Sequence, residues 1–193
     1  MNKQGSIRWV APALGALLVL PAVLLLPAAA RADGTVELAE GQLSLPVPDG
    51  WARKQPRVNI IDAEFEIPAA EGDEKPGRAT IMGAGGSIED NINRWAGQFT
   101  QPDGSNTADK VKTRKLEAAG QPITLVDITG TYEDKAGPFV PGPGVQRPNY
   151  RMLAAVIETK KAGNYFIKFY GPQKTISGQE AAFTKMLEGL KTK

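Results

Sequence analysis

Met152-Leu153-Ala154-Ala155-Val156-Ile157 is apolar at every position. A strand with one wet face alternates apolar and polar residues; an unbroken apolar run predicts a strand covered on both faces. The next run sets Tyr165, Ile167 and Phe169 on one face and Phe166 and Tyr170 on the other. Upstream, residues 110–117 and 122–132 also read as strands, so 110–170 predicts an antiparallel meander. Cover on both faces then implies a three-layer α+β sandwich: an antiparallel sheet of about six to eight strands flanked by two main helices.

The covering helices are visible in the pattern. Ile88, Ile92, Trp95 and Phe99 form one apolar stripe over 87–99, with Ser87 and Asp90 as a capping box and Glu89 beside them in the first turn. Phe183, Met186, Leu187 and Leu190 repeat the spacing over about 176–191, with Ser177 and Glu180 as a second capping box. Val36-Glu37-Leu38, Leu43-Ser44-Leu45 and the alternating Ile61 to Ile67 predict strands before the first helix. Ala79 to Met82 adds another, running into Gly83-Ala84-Gly85-Gly86.

Residues 1–32 stand apart. Lys3 and Arg8 are followed by Trp9 to Ala30 without a polar or charged side chain, then by Ala30-Arg31-Ala32. A basic start, an apolar core and an A-x-A end predict a secretory signal peptide cut between Ala32 and Asp33. The alternative is a retained anchor over residues 9–30, a run long enough to span a bilayer but interrupted by Pro12, Pro21 and Pro27. The expected organisation is a leader, 1–32, and a single α+β domain, 33–193. The whole chain carries 23 basic and 21 acidic residues, +2 net. Three of the basic residues lie in the leader, so the remainder is near neutral and bulk nucleic-acid binding is not expected.

Pro48-Asp49-Gly50-Trp51 after the opening strands, and Gly85-Gly86-Ser87 followed by Asn91, Arg94, Trp95 and Gln98, carry a resemblance. Together they resemble an uncharacterised family of signal-peptide-bearing bacterial proteins. The order of elements over about 35–190 is similar to the PsbP-like fold, that of the extrinsic P subunit of the photosystem II oxygen-evolving complex. The resemblance implies an antiparallel sheet between helices and a binding or accessory role, and it implies no activity.

The chain has no Cys and no His. Thiol nucleophiles, disulfides and Ser-His-Asp triads are thereby excluded, along with His or Cys metal ligands. What remains is carboxylate, Lys, Tyr, Ser or backbone chemistry, and no cofactor or metal is expected.

Several groups qualify as candidate sites. Gly83 to Gly86 sits between strand and helix, where phosphates bind, yet Ile88 stands where a dinucleotide fingerprint needs its third glycine. The plainer reading is a tight turn. Asp62, Glu64 and Glu66 share a strand face near Glu71, Asp73 and Glu74; they read as a solvated face, with calcium or carboxylate catalysis as alternatives. Lys110, Lys112, Arg114 and Lys115 read as a charge-protected edge strand, or as a patch for anions. Asn91, Arg94 and Gln98 form a polar ridge a quarter turn from the apolar stripe, placed to line a cleft or to border the core.

The Pro-rich segment 137–148 offers Phe139 and Arg147, with Tyr150 beyond it. They either close one end of the core or present a stiff arm to a partner. The function expected is that of an exported, non-enzymatic binding or accessory domain. It uses Asn91, Arg94, Gln98, Phe139, Arg147 and Tyr150 toward a protein or small ligand of the envelope, and meets the membrane only if the leader is retained. The alternative is a carboxylate-based, metal-assisted hydrolase, betrayed by a pair of acids with raised pKa in a pocket.

Overall fold

The computed structural model describes Met1 and residues 34–56, 58–135, 142–160 and 162–193. The leader and its Ala32–Asp33 junction, and Phe139, lie outside these described residues. Among them no helix is long and apolar enough to cross a membrane.

The elements in chain order are β1 (Thr35–Leu38), β2 (Leu43–Pro46), β3 (Ala52–Lys54), β4 (Ala63–Ile67) and β5 (Gly77–Ala84), then α1 (Ile88–Ala96) and β6 (Phe99–Thr100). A short 3-10 turn, Thr107–Lys110, leads to β7 (Lys112–Ala118), β8 (Gln121–Asp134), β9 (Val145–Thr159) and β10 (Gly163–Pro172). The chain ends with α2 (Gln173–Gly178), α3 (Glu180–Glu188) and β11 (Lys191–Thr192). Eight strands form one antiparallel sheet in the order β3-β4-β5-β10-β9-β8-β6, with β7 also pairing β8. A small sheet, β1-β2-β11, stands apart from it.

The double-sided burial read from the apolar run is present: Met152 to Ile157 is at most 5% exposed throughout. Leu153, Ala155 and Ile157 join Tyr165, Ile167 and Phe169 in one core with the small sheet, Phe183, Met186 and Leu187. Met152, Ala154 and Val156 join Phe166 and Tyr170 in a second core beneath Trp95 and Phe99 of the α1 side. The result is the α+β three-layer arrangement with an antiparallel sheet that the pattern predicts, with three α-helices among the described residues because the second predicted helix is split in two.

The first helix is shorter than its stripe. Ser87 caps it, accepting from the Asp90 amide at 3.0 Å and donating to the Asp90 carboxylate at 2.6 Å. It stops at Gly97, and Phe99 continues the stripe from β6. The last helix is broken in two at Gln179, and neither half carries a side-chain cap. Ser177 and Glu180 instead both engage Arg151 of β9, Ser177 Oγ accepting at 3.0 Å and Glu180 pairing at 2.9 Å.

The β8–β9 hairpin reaches further than the prolines suggest. Val145 pairs with Asp134 and Arg147 with Tyr132, so the connection shrinks to residues 135–144. Pro148, which has no N–H to give, falls where the register shifts between Gly130 and Tyr132. Gly130 permits the neighbouring strand to close in: its φ is +148°, and a Cβ there would stand 2.6 Å from the Thr100 carbonyl oxygen.

Candidate functional site

The nine-residue α1 is too short to roof an eight-stranded sheet. Its stripe covers β8, β9 and β10, packing Trp95 edge-on to Phe166 with centroids 6.0 Å apart. Among the described residues the same face over β3, β4 and β5 stays open and forms a groove of about 870 Å³. Strand register dictates what stands in it. Glu64 of β4 lies opposite Thr80 of β5, which lies opposite Lys168 of β10. Two residues along, Glu66, Arg78 and Tyr170 make the next row. The loop before β4 contributes Val58 and Ile60, two of the few large apolar side chains left exposed among the described residues.

The floor is held by ion pairs. Arg78 donates to both carboxylate oxygens of Glu64, at 2.8 and 2.9 Å, and to the Tyr170 hydroxyl at 2.7 Å. Burial alone would lower the Arg78 pKa; the bonds to Glu64 and Tyr170 outweigh it and hold the guanidinium above its ordinary value. Lys168 donates to Gln98 Oε1 at 2.8 Å and lies 5.0 Å from the Tyr170 ring centroid and 5.9 Å from that of Tyr132. It has no carboxylate partner among the described residues. Burial, then the nearby Arg78 and Arg94, lower its amine to about 7. Tyr132 and Tyr150 stack with centroids 6.0 Å apart, and burial raises both phenols above their ordinary value.

Four of the candidate residues come together here: Arg94, Gln98, Arg147 and Tyr150 all line the groove. Asn91 does not. It is 1% exposed, donates to the Ser87 carbonyl at 2.8 Å and accepts from Arg94 through Oδ1, so it steadies Arg94 from behind. Arg147 pairs with Asp134 at 3.2 Å within the hairpin.

The acidic face is corrected. Asp62 and Glu66 are exposed, but Glu64 is 4% exposed and gripped by Arg78. Among the described residues no three acids are grouped to hold a metal ion. The glycine segment is a turn into α1: Gly86 takes φ +93°, and a Cβ there would meet Asn91 Nδ2 at 3.3 Å. Of the basic cluster, Lys110 belongs to the 3-10 turn, and the other three lie on β7, which pairs only β8.

Sequence reasoning passes over Arg78 and Lys168. The signal was present in the second: at period 2, Lys168 falls between Phe166 and Tyr170 on a face otherwise turned inward.

No family model matches the chain, and no curated protein matches it. Among solved structures it is similar to the solution structure of cyanobacterial PsbP (CyanoP) from Synechocystis sp. PCC 6803. That likeness has a TM-score of 0.48 and 12% sequence identity, and covers 93% of this chain and 100% of that one.

Proposed function

We propose that this chain is an exported, non-enzymatic binding module that holds a small ligand of the cell envelope in the groove beside α1. One observation carries the reading: among the described residues, half of a sheet face is left unroofed and furnished with tyrosines and with cations that no carboxylate neutralises. The volume is in the range of small-molecule sites.

The carboxylates of the groove support binding over hydrolysis. Glu64 is paired with Arg78, Glu66 with Lys54, Glu133 with Lys135 and Asp134 with Arg147. Bonds from the Gly144 amide and Lys135 hold the Glu133 carboxyl below its ordinary range. A glycosidase-type mechanism needs one carboxyl held protonated beside an ionised partner, and Glu133 is held the other way.

Export rests on the basic, apolar and A-x-A order of residues 1–32, with residues 33–193 as the single exported domain. N-terminal sequencing of the exported protein is expected to begin at Asp33; a full-length, carbonate-resistant membrane form would establish the anchor instead.

The binding reading is tested with a library of small neutral and charged fragments watched by amide NMR. Shifts are expected to gather on Gln98, Tyr132, Lys168 and Tyr170. They are expected to vanish in Gly97→Trp, which fills the groove at a position where a Cβ meets nothing closer than 3.5 Å. Shifts that gather on another face, or nowhere, overturn the reading.

A further inference from the structure

We propose that the groove is an oxyanion site: it takes a small carboxylate or phosphate monoester, its head between Lys168 and Arg94 and its apolar body under Val58 and Ile60. The inference rests on the groove being the ligand site and names the chemistry of what fills it.

Charge supplies the first argument. Seven cationic side chains line the groove against four carboxylates. All four carboxylates are engaged by Lys54, Arg78, Lys135 and Arg147. Among the described residues Lys75, Arg94 and Lys168 are left without a carboxylate, in a chain whose total charge is only +2.

Geometry supplies the second. Arg94 stands in the last turn of α1 and Gln98 just past its C-cap Gly97, four residues on, and Gln98 Oε1 accepts from Lys168 at 2.8 Å. With its oxygen so used, Gln98 offers its amide hydrogens. Asn91 Oδ1 holds one Arg94 nitrogen, which fixes the guanidinium and leaves its other donors for a ligand. An ammonium and an amide in contact, with a guanidinium lining the same groove and no acid paired to Lys168 or Arg94 among the described residues, are donors in want of an acceptor. The lowered Lys168 amine agrees, since an anion lodged there would offset the Arg78 and Arg94 charges that depress it.

The apolar half follows from the opposite wall. Val58 is 38% and Ile60 58% exposed, both facing the groove. From β10 to β4 is two strand spacings, about 10 Å. A phenyl ring carrying a phosphate or carboxylate spans that gap.

The test is titration calorimetry at about pH 6, where the Lys168 ammonium is charged. The probes are phenyl phosphate, benzoate, inorganic phosphate and the neutral benzamide. Phenyl phosphate or benzoate is expected to bind at one site, at least tenfold tighter than benzamide. Lys168→Met and Arg94→Gln are each expected to weaken that binding at least tenfold, with native amide NMR dispersion at the titration temperature showing that both fold. Whichever of the two anions binds tighter identifies the head group. Benzamide binding as well as benzoate, or binding indifferent to both variants, overturns the proposal. Inorganic phosphate binding as tightly as phenyl phosphate overturns the apolar half. If no anion binds, the proposal fails; the broader reading then stands or falls separately on whether neutral fragments still shift the groove amides.

Discussion

Arg78 grips Glu64 diagonally across β4 and β5, Nε to Oε1 at 2.8 Å and Nη2 to Oε2 at 2.9 Å, although the residue directly opposite Glu64 is Thr80. The Glu64 side chain is only 6% exposed and that of Arg78 29%. Breaking one partner of such a pair strands the other charge; replacing both with apolar residues does not. Glu64→Gln is therefore expected to lower unfolding stability by about 3 kcal/mol, while Glu64→Leu with Arg78→Met stays within about 1 kcal/mol of wild type. Urea unfolding of the three proteins checks this; a double variant as unstable as Glu64→Gln would mean that the pair stabilises more than it costs to desolvate.

Trp95 anchors α1. It is 3% exposed and packs edge-on to Phe166 between Ile92 and Phe99. Trp95→Ala is expected to cost about 3–5 kcal/mol by the same assay. An unchanged midpoint would place the apolar stripe against solvent.

The elements that the sequence made legible are those whose neighbours are local or repeat with the period of the element. The Met152–Ile157 run reported two covered faces, and Ser87 with Asp90 reported a helix start, because each signal depends on residues a few positions apart. The Ser177–Glu180 pair carries the same local signal and misleads, because Arg151 reaches both from β9 and takes up their oxygens. Glu64 misleads for the same reason: alternation in β4 calls it wet, and Arg78 on the next strand buries it. The groove itself was half legible. Arg94, Gln98, Arg147 and Tyr150 stood out in their own segments, whereas Lys168 acquires its meaning only from Gln98, seventy residues earlier in the chain.

The Arg151 cluster turns that lesson into a measurement. Arg151 also donates to both oxygens of Asp127, at 2.9 and 2.8 Å, and its side chain is 12% exposed. Arg151→Met is expected to cost about 2–4 kcal/mol and Ser177→Ala about 1 kcal/mol. In a double-mutant cycle Ser177→Ala should cost almost nothing once Arg151 is gone, because its loss is the loss of that bond. Full additivity would mean that Ser177 acts on its own helix after all.

Lys168 links the groove to pH. Facing it are Gln98 and Arg94 from the α1 side, Tyr132 from β8, Tyr170 from β10 and Arg78 and Thr80 from β5, with Glu64 beyond on β4 and already bound by Arg78. None of these neutralises the ammonium directly, and the amine falls to about 7, against an ordinary lysine value of about 10.4 in the unfolded chain. Between those values the unfolded chain binds more protons than the folded one, so folding stability rises with pH across that window. Below about 7 both states are protonated and the full penalty of the half-buried charge is present. The slope is expected to approach 1.4 kcal/mol per pH unit, roughly the limit for one group. Above about pH 10 the raised phenols of Tyr132 and Tyr150 bring the opposite trend, since stability from a raised group is lost as pH climbs through its folded value. Lys168→Met removes the amine. The variant is expected to be more stable than wild type at pH 6 and to converge on it by about pH 10, its own curve nearly flat between. Urea unfolding at unit steps of pH reads both curves. Parallel curves for the two proteins would mean that the Lys168 ammonium is solvated in the groove and keeps its ordinary proton.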